Sequence, residues 1–225
     1  MSQLIAIEGI DGSGKGTQTK LLAERLRCEG FRVAQLGFPR YSQTFFGARV
    51  GDFLNGRFGQ LWDLPPFLIA LLFAGDRLES RDMLVSAIAD HDVVLLDRYV
   101  ASNVAHQSSR CPEEEQLQVQ EWIEHVEYAI HKLPRPTLNI LLDIPVADAQ
   151  QLILRKQARD YTNLASDLQE ADAVYLEGVR STYRALASRQ TNWHVVSLVN
   201  DTGLATIDAV HAELLEVVLR NLGKE

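Results

Sequence analysis

A glycine-rich loop after the first apolar segment constrains the fold more than any other feature of this chain. Residues 9–17 follow the apolar run Leu4–Glu8 and precede a helical pattern at Thr17–Cys28. The spacing G-x-x-x-x-G-K between a strand and a helix is that of the Walker A phosphate-binding loop. Glycines let the backbone approach a phosphate closely, and the helix N-terminus adds partial positive charge. The predicted ATP-binding residues are Gly9, Ile10, Asp11, Gly12, Ser13, Gly14, Lys15, Gly16 and Thr17.

The loop differs from the usual motif at its eighth position. Lys15 is placed to put its charge on the β- and γ-phosphates, but Gly16 stands where the motif has Ser or Thr. That hydroxyl normally binds Mg²⁺. Thr17 is the next residue and is the candidate to supply this hydroxyl. Alternatively, Thr17 is an ordinary residue at the N-terminus of the helix. A glycine-rich turn without a ligand is the alternative for the loop as a whole.

Four further apolar runs read as strands that are buried on both faces. They are Arg32–Gly37, Asp92–Asp97, Leu138–Asp143 and Trp193–Leu198. Helical patterns separate them, and this alternation predicts an α/β fold with a parallel sheet flanked by helices. One long helix is expected at 113–133, where apolar residues recur at helical spacing. No linker or repeat interrupts residues 1–225, so we predict a single domain.

Charge and composition exclude several classes of protein. The chain has 22 Lys and Arg against 30 Asp and Glu, a net charge of −8, which argues against a nucleic-acid partner. The longest apolar run, at 67–74, is far shorter than the ~20 residues that span a bilayer. The N-terminus lacks a signal-peptide pattern, and Cys28 and Cys111 do not indicate a disulfide framework. We predict a cytoplasmic protein with no membrane partner.

Two polar segments follow predicted strands at the edge where parallel sheets bind ligands. The string F-P-R-Y at 38–41 comes after the second strand, and Asp97 and Arg98 end the third. Asp97 is placed like a carboxylate that binds the metal of a nucleotide, and Arg98 can bind a phosphate through two hydrogen bonds. A simple turn and a strand-end ion pair are the alternatives.

Two further segments carry side chains that could bind a nucleotide base and a phosphoryl group during its transfer. Phe73 and Arg77 share a helix face, so that a ring and a guanidinium can meet a planar base with a carbonyl edge. Arg155 and Arg159 lie in a basic stretch after the fourth strand, which is expected to close over the phosphoryl group as a lid around 151–166. A core phenylalanine and a solvated helix face are the alternatives.

In order and spacing, these motifs resemble the thymidylate kinase family over essentially the whole chain. The matching strings are E-G-x-D-G-S-G-K at 8–15, F-P-R at 38–40, D-R at 76–77 and D-R-Y at 97–99, and residues 97–103 look closest to bacterial members. The resemblance implies that ATP and Mg²⁺ are used to phosphorylate dTMP to dTDP. It also implies a P-loop kinase fold, with a five-stranded parallel sheet in the order 2-3-1-4-5, and a homodimer.

The resemblance implies roles residue by residue. Phe73 would stack on thymine, Arg77 would bind its O4, and Arg98 would clamp the dTMP phosphate. The catalytic residues would be Lys15, Arg98, Arg155, Arg159 and Asp11. The dTMP site would consist of Asp11, Phe38, Arg40, Tyr41, Phe73, Arg77, Arg98, Ser102, Asn103 and His106. The metal would be held by Asp11, Asp97 and Thr17.

Two positions depart from relatives. His106 stands where many relatives have a Tyr near the 2′ position of the sugar, so it either does the same steric work or is an ordinary pocket-edge histidine. One branch of the family has a catalytic arginine inside the phosphate loop, where this chain has Gly12. The lid residues Arg155 and Arg159 would then supply that charge.

Three other functions stay open at this point. Another nucleoside monophosphate kinase would act on UMP, CMP or AMP. A deoxynucleoside kinase would need a carboxylate base, for which Glu8 is the candidate. A non-catalytic nucleotide switch would bind partners instead, although no N-K-x-D motif follows the loop. The apolar excess at 64–74 fits either a dimer contact or a helix buried within one chain.

Overall fold

The computed structural model describes residues 2–154, 172–200 and 203–224, and its centre is a five-stranded parallel sheet. The strands are β1 (Gln3–Glu8), β2 (Val33–Gly37), β3 (Val93–Asp97), β4 (Leu138–Asp143) and β5 (Trp193–Ser197). Their order in the sheet is β2-β3-β1-β4-β5, which confirms the predicted order. A two-residue pair, β6 (Val199–Asn200) and β7 (Gly203–Leu204), is antiparallel and separate.

Helices cover both faces of the sheet. They are α1 (Lys15–Cys28), α2 (Phe45–Leu54), α3 (Pro66–Glu79), α4 (Arg81–Asp90), α5 (Val100–Ser108), α6 (Glu113–Glu124), α7 (Val146–Leu154), α8 (Ala173–Arg189) and α9 (Ile207–Asn221), with a short 3₁₀ turn at Leu61–Asp63. Among the described residues, no helix combines the length and apolar content that crossing a bilayer requires. Of the predicted lid segment, 151–154 belong to α7, and the rest lies outside the described residues.

Alternation along β1 explains why the sheet carries helices on both sides. Ile5 and Ile7 pack in one buried cluster with residues of α1, α8 and α9. Leu4 and Ala6 point the other way and pack in a second cluster with residues of α4, α5 and α6. The apolar run from Leu4 to Ile7 is therefore buried on both faces, as expected for a strand in the middle of a parallel sheet.

The predicted helix at 113–133 is not one regular α-helix. The α-helix ends at Glu124 and continues as a π-helix at His125–Ile130, in which the His131 N–H donates to the Val126 carbonyl. A π-helix contains extra residues relative to an α-helix, so later side chains leave the α-helical register. Ile130, which the periodicity placed with the apolar residues, is 60% exposed, whereas Glu127 is fully buried.

Hydrogen bonds between neighbouring strand ends bring together the segments that the sequence predicts to bind ligands. The Arg98 N–H donates to the Ile7 carbonyl, and the Phe38 N–H donates to the Asp97 carbonyl. Because β2, β3 and β1 are adjacent and parallel, the segments that follow them meet at one edge. The phosphate loop, the F-P-R-Y segment and the start of α5 therefore face a common space.

Candidate active site

The phosphate loop, residues 9–17, connects β1 directly to α1. Gly9, Gly12 and Gly14 all have positive φ values (145°, 84° and 83°), which favour glycine. A Cβ atom on Gly12 would lie 2.4 Å from the Ala149 carbonyl oxygen of α7. An arginine at position 12 is therefore incompatible with this loop conformation, and α1 starts at Lys15, two residues earlier than expected.

Lys15 is buried at the base of the loop. Its Nζ donates to the Ile10 carbonyl at 2.8 Å and lies 3.5 Å from Ser13 Oγ. Burial lowers the pKa of Lys15 to about 8, and the Arg98 charge adds to this, while nearby carboxylates only partly oppose the shift. The ammonium group donates to one backbone oxygen and, at a longer distance, to Ser13 Oγ, and a phosphate in the loop would add negative charge beside it.

Asp97 lies against Gly16, the position at which the loop differs from the Walker A motif. A Cβ atom on Gly16 would be 3.0 Å from Asp97 Oδ2, so glycine leaves room for this carboxylate. Thr17 is exposed on the first turn of α1. Within the described ranges, no three acidic, His or Cys side chains come together as a metal site on their own. Mg²⁺ commonly binds one or two carboxylates together with nucleotide phosphates and water, and Asp97 and Asp11 fit that requirement.

Arg98 links the phosphate loop to α5. Its φ is 65°, an unusual value for a residue with a side chain. Its Nη1 donates to the Gly9 carbonyl at 3.0 Å and to Ser102 Oγ at 3.1 Å, and its Nη2 donates to Asp11 Oδ1 at 2.6 Å. Burial alone would raise the pKa of Asp11, but the charges of Arg98 and Lys15 outweigh it, so that the carboxyl pKa is lowered. Both members of this pair stay charged.

Glu8 binds the residues that follow Arg98 in the chain. It is fully buried and accepts hydrogen bonds from the Tyr99 N–H (2.8 Å), Ser102 Oγ (2.7 Å) and Tyr183 Oη (3.0 Å). Burial raises the pKa of Glu8, although hydrogen bonds and the Arg98 charge partly oppose this. Glu8 does not line the cleft described next, so it is badly placed to be the base of a deoxynucleoside kinase.

A cleft at the sheet edge collects most of the predicted substrate residues. It is lined by Asp11, Phe38, Pro39, Tyr41, Leu54, Phe73, Arg77, Arg98, Ser102, Asn103, His106 and Gln107. Of these, Pro39, Leu54 and Gln107 were not predicted. The Phe73 ring packs edge-on against Phe53, with centroids 6.3 Å apart, which fixes the ring at the side of the cleft.

Arg40 is a predicted substrate residue that does not line this cleft. Its backbone N–H donates to Asp76 Oδ2 at 2.9 Å, and its guanidinium donates to Gln43 and Ser80. Asp76 also accepts from Thr44 Oγ1, so the acidic residue of the D-R string ties the F-P-R-Y segment to α3. The predicted residues Arg155 and Arg159 lie outside the described residues.

Arg77 and Asn103 line one part of the cleft and share a buried partner behind it, Glu127, and we call these three residues the base-edge trio. Arg77 donates from Nε and Nη2 to the two Glu127 oxygens, each at 2.5 Å. Asn103 Nδ2 donates to Glu127 Oε1 at 2.8 Å and to the Ala70 carbonyl at 3.0 Å. Asn103 Oδ1 is buried and has no hydrogen-bond partner among the described residues. Glu127 was not predicted as a site residue, and its one signal in the sequence is that it is an acidic residue inside an apolar helical run.

His106 is buried at the side of the cleft and is held by Tyr175 of α8. The Tyr175 hydroxyl lies 2.8 Å from His106 Nδ1 and donates to the His106 carbonyl at 3.2 Å. With the hydroxyl hydrogen on that carbonyl, Nδ1 is the donor of the shorter bond. Burial lowers the pKa of His106 to about 3, and the Arg98 charge adds to this. His106 is therefore neutral at pH 7.

The neutral His106 should make the fold sensitive to mild acid. The folded pKa is about 3 against 6.5 for an exposed histidine, so below pH 6.5 the unfolded chain binds a proton that the folded chain does not. At pH 5.5 this costs about 1.4 kcal/mol of stability. Urea unfolding at pH 7.5 and 5.5 should show this loss in the wild type and not in His106→Gln. The exposed control His125→Gln should behave like the wild type, and a similar loss in His106→Gln would refute the assignment.

Comparisons with known proteins agree with one another. A family model described as thymidylate kinase matches residues 7–212. The thymidylate kinase of Mycobacterium tuberculosis is 35% identical over 202 residues, which is 89% of this chain and 94% of that protein. A probable thymidylate kinase of Thermococcus onnurineus is 31% identical over 225 residues and 98% of both chains. A solved thymidylate kinase structure from Candida albicans covers 100% of this chain and 94% of that one, with a TM-score of 0.75 at 24% identity, and so shares the fold.

Proposed function

This chain belongs to the thymidylate kinase family and phosphorylates dTMP with ATP, and from that premise we propose how its own residues carry out the reaction. Four groups of residues are involved: the phosphate loop, Arg98 with its neighbours, the base-edge trio and the side of the cleft around Phe73. Each is proposed to contact a different part of the two nucleotides.

The base assignment rests on the unpaired acceptor in the base-edge trio. Asn103 Oδ1 is a buried acceptor without a partner among the described residues, and Arg77 Nη1 is the guanidinium nitrogen that Glu127 does not use. Thymine offers an acceptor at O4 and a donor at N3–H, which complement a donor and an acceptor side by side. Cytosine offers the reverse pattern and would leave buried groups unsatisfied, which costs binding free energy. The trio therefore favours a thymine or uracil base over cytosine.

The phosphates are proposed to meet between Lys15 and Arg98. Lys15 and the loop backbone hold the ATP phosphates, while Arg98 holds the dTMP phosphate at the opposite side of Asp11. A phosphate monoester has a second pKa of about 6, so near neutral pH dTMP is already an anionic nucleophile and needs no strong base. The protein's task is to align the two phosphates and to offset their charge.

Two carboxylates near the phosphate loop are proposed to hold Mg²⁺ when the nucleotide is bound. Asp97 and Asp11 would hold it together with ATP phosphate oxygens, with Thr17 as a further candidate, and the bound ion would neutralise charge on the β- and γ-phosphates. Arg155 and Arg159 are proposed to add charge from the lid, on the strength of the sequence alone. We also propose that the protein acts in the cytoplasm, where its free thiols Cys28 and Cys111 stay reduced.

A homodimer is proposed from the outer face of α3. Leu68, Leu71 and Leu78 lie on one stripe of this helix, and Leu68 is 60% exposed, with the exposed ring of Phe45 on the neighbouring α2. A stripe of this kind suits contact with a second copy. Sedimentation analysis should show a dimer in the wild type and a monomer in Leu68→Glu. Val174→Glu, at an exposed position on α8, should remain a dimer. A monomeric wild type would refute the proposal.

The reaction is tested by ADP release from Mg-ATP with a panel of acceptors. The panel should contain dTMP, dUMP, UMP, CMP, AMP and GMP, with a reaction without acceptor as control. We expect selective turnover of dTMP. Preference for CMP or AMP would show that the base-edge trio has been misread, and ATP hydrolysis without any acceptor dependence would favour the nucleotide-switch alternative.

A further inference from the structure

Glu127 is a fully buried carboxylate that does not line the cleft, yet it contacts two side chains that do, Arg77 and Asn103. It lies on the π-helix at His125–Ile130. Its oxygens accept two hydrogen bonds from Arg77 and one from Asn103, at 2.5, 2.5 and 2.8 Å. A residue of this kind cannot touch the substrate, but it can fix the groups that do.

The first effect of Glu127 is on the orientation of Arg77. Two parallel hydrogen bonds to Nε and Nη2 fix the plane of the guanidinium. Both partners are inaccessible to solvent, at 2% and 0% exposure, so water does not compete for these bonds. The nitrogen left for a ligand is Nη1, which is a donor whatever the pH. Glu127 therefore fixes one half of the base edge as a donor.

The second effect is on the amide of Asn103, which has two possible orientations. Nδ2 faces two acceptors, Glu127 Oε1 at 2.8 Å and the Ala70 carbonyl at 3.0 Å. The reversed amide would set Oδ1 against both of these acceptors and would lose both hydrogen bonds. The observed orientation is thus enforced, and it leaves the unpaired Oδ1 as the group available to a base. Glu127 therefore fixes the other half of the edge as an acceptor.

We propose that Glu127 is the positioning residue for base selection, since it sets the donor of Arg77 and the acceptor of Asn103 in the order that accepts a 4-oxo pyrimidine and rejects a 4-amino pyrimidine. This inference rests on the proposed function of the cleft. The proposed role of Glu127 differs from a purely structural role because it sets which of Arg77 and Asn103 is the donor and which is the acceptor. A structural residue would affect all substrates alike.

The test compares dTMP with 5-methyl-dCMP, which keeps the methyl group and the sugar and differs at the 4-position and N3. In Glu127→Gln the side chain can turn a donor toward Asn103, so one of the two acceptors that hold Nδ2 is lost. The ratio of kcat/KM for dTMP to that for 5-methyl-dCMP should fall by about tenfold or more. Glu124→Gln removes the same charge three residues earlier, at a part-exposed position, and should keep the wild-type ratio.

The outcomes separate this inference from the proposed function. A wild type that does not phosphorylate dTMP, or prefers 5-methyl-dCMP, would refute the proposed function itself. A folded Glu127→Gln protein in which kcat/KM falls equally for both substrates would refute only the role of Glu127. If that variant does not fold, Glu127→Asp keeps the charge but shortens the side chain. It should lower the ratio too, and an unchanged ratio would overturn the inference.

Discussion

Replacing Arg98 with alanine should lower kcat/KM for dTMP by about 10²- to 10³-fold, while the affinity for ATP changes by less than about threefold. The Arg98 N–H donates to the Ile7 carbonyl, and its guanidinium donates to the Gly9 carbonyl and to Asp11. These bonds hold the guanidinium in the space beside Asp11. Two guanidinium groups of the described residues line the cleft, those of Arg77 and Arg98, and that of Arg98 contacts the phosphate loop through Gly9 and Asp11. Without it, two anionic phosphates and the Asp11 carboxylate would face each other with less compensating charge.

Steady-state kinetics with varied dTMP, together with calorimetric titration of ATP, would check this result. Arg32→Ala is a suitable control, because Arg32 is exposed and pairs with Asp92 at the opposite end of the sheet. That control should match the wild type in both measurements. An equal loss of ATP affinity in Arg98→Ala would mean that Arg98 belongs to the ATP site, and the assignment of the two phosphates would have to be reversed.

Lys15→Met should produce the complementary pattern, with kcat/KM for ATP lowered by about 10²- to 10³-fold. The buried ammonium lies inside the loop that is proposed to hold the ATP phosphates, and methionine preserves the length of the side chain without its charge. Lys20→Met, on the exposed side of the same helix, should have little effect. Unchanged kinetics in Lys15→Met would rule out the loop as the ATP site.

The lowered pKa of Lys15 adds a pH dependence of stated direction. Because this pKa is about 8 in the free protein, kcat/KM for ATP should fall as the pH rises through 8 and the ammonium loses its proton. At saturating ATP the bound phosphates keep the ammonium charged, so kcat/KM for dTMP should lack this decline. The two profiles, measured from pH 6.5 to 9.5, test both statements, and a flat ATP profile would contradict them.

The sheet could be predicted from the sequence because each strand contains a short apolar run. The expected burial on both faces is found in the central strands β1, β3 and β4, whereas the edge strands β2 and β5 are partly exposed. All five predicted strands agree with the structure to within one residue at each end, and the strand order implied by the family resemblance is confirmed. The region at 113–133 could not be predicted to the same degree. Apolar spacing is compatible with an α-helix there, and the local sequence has no signal for the contact between Glu127 of the π-helix and Arg77, which lies fifty positions earlier.

The site could be predicted only where its residues are adjacent in sequence or belong to a motif. The phosphate loop, Arg98 and the segment from Ser102 to His106 lie together, as expected from strand ends in a parallel sheet. The partner of Arg77 has no motif. Tyr175 and Tyr183 reach the site from α8, and they lie 69 and 81 positions from His106 and Ser102, the residues of α5 that they contact. Arg40 shows that membership of a motif does not ensure a place in the cleft, because its guanidinium binds Gln43 and Ser80 instead.

The π-helix at His125–Ile130 also makes the preference for a base sensitive to the deletion of a single residue. Deleting one codon there would restore an ordinary α-helix and rotate the residues on one side by about 100° relative to those on the other. Glu127 would then leave Arg77, and the amide of Asn103 would lose one of its two constraints. Such a deletion would therefore alter the choice of nucleotide, and it would also leave the buried guanidinium of Arg77 without its carboxylate partner.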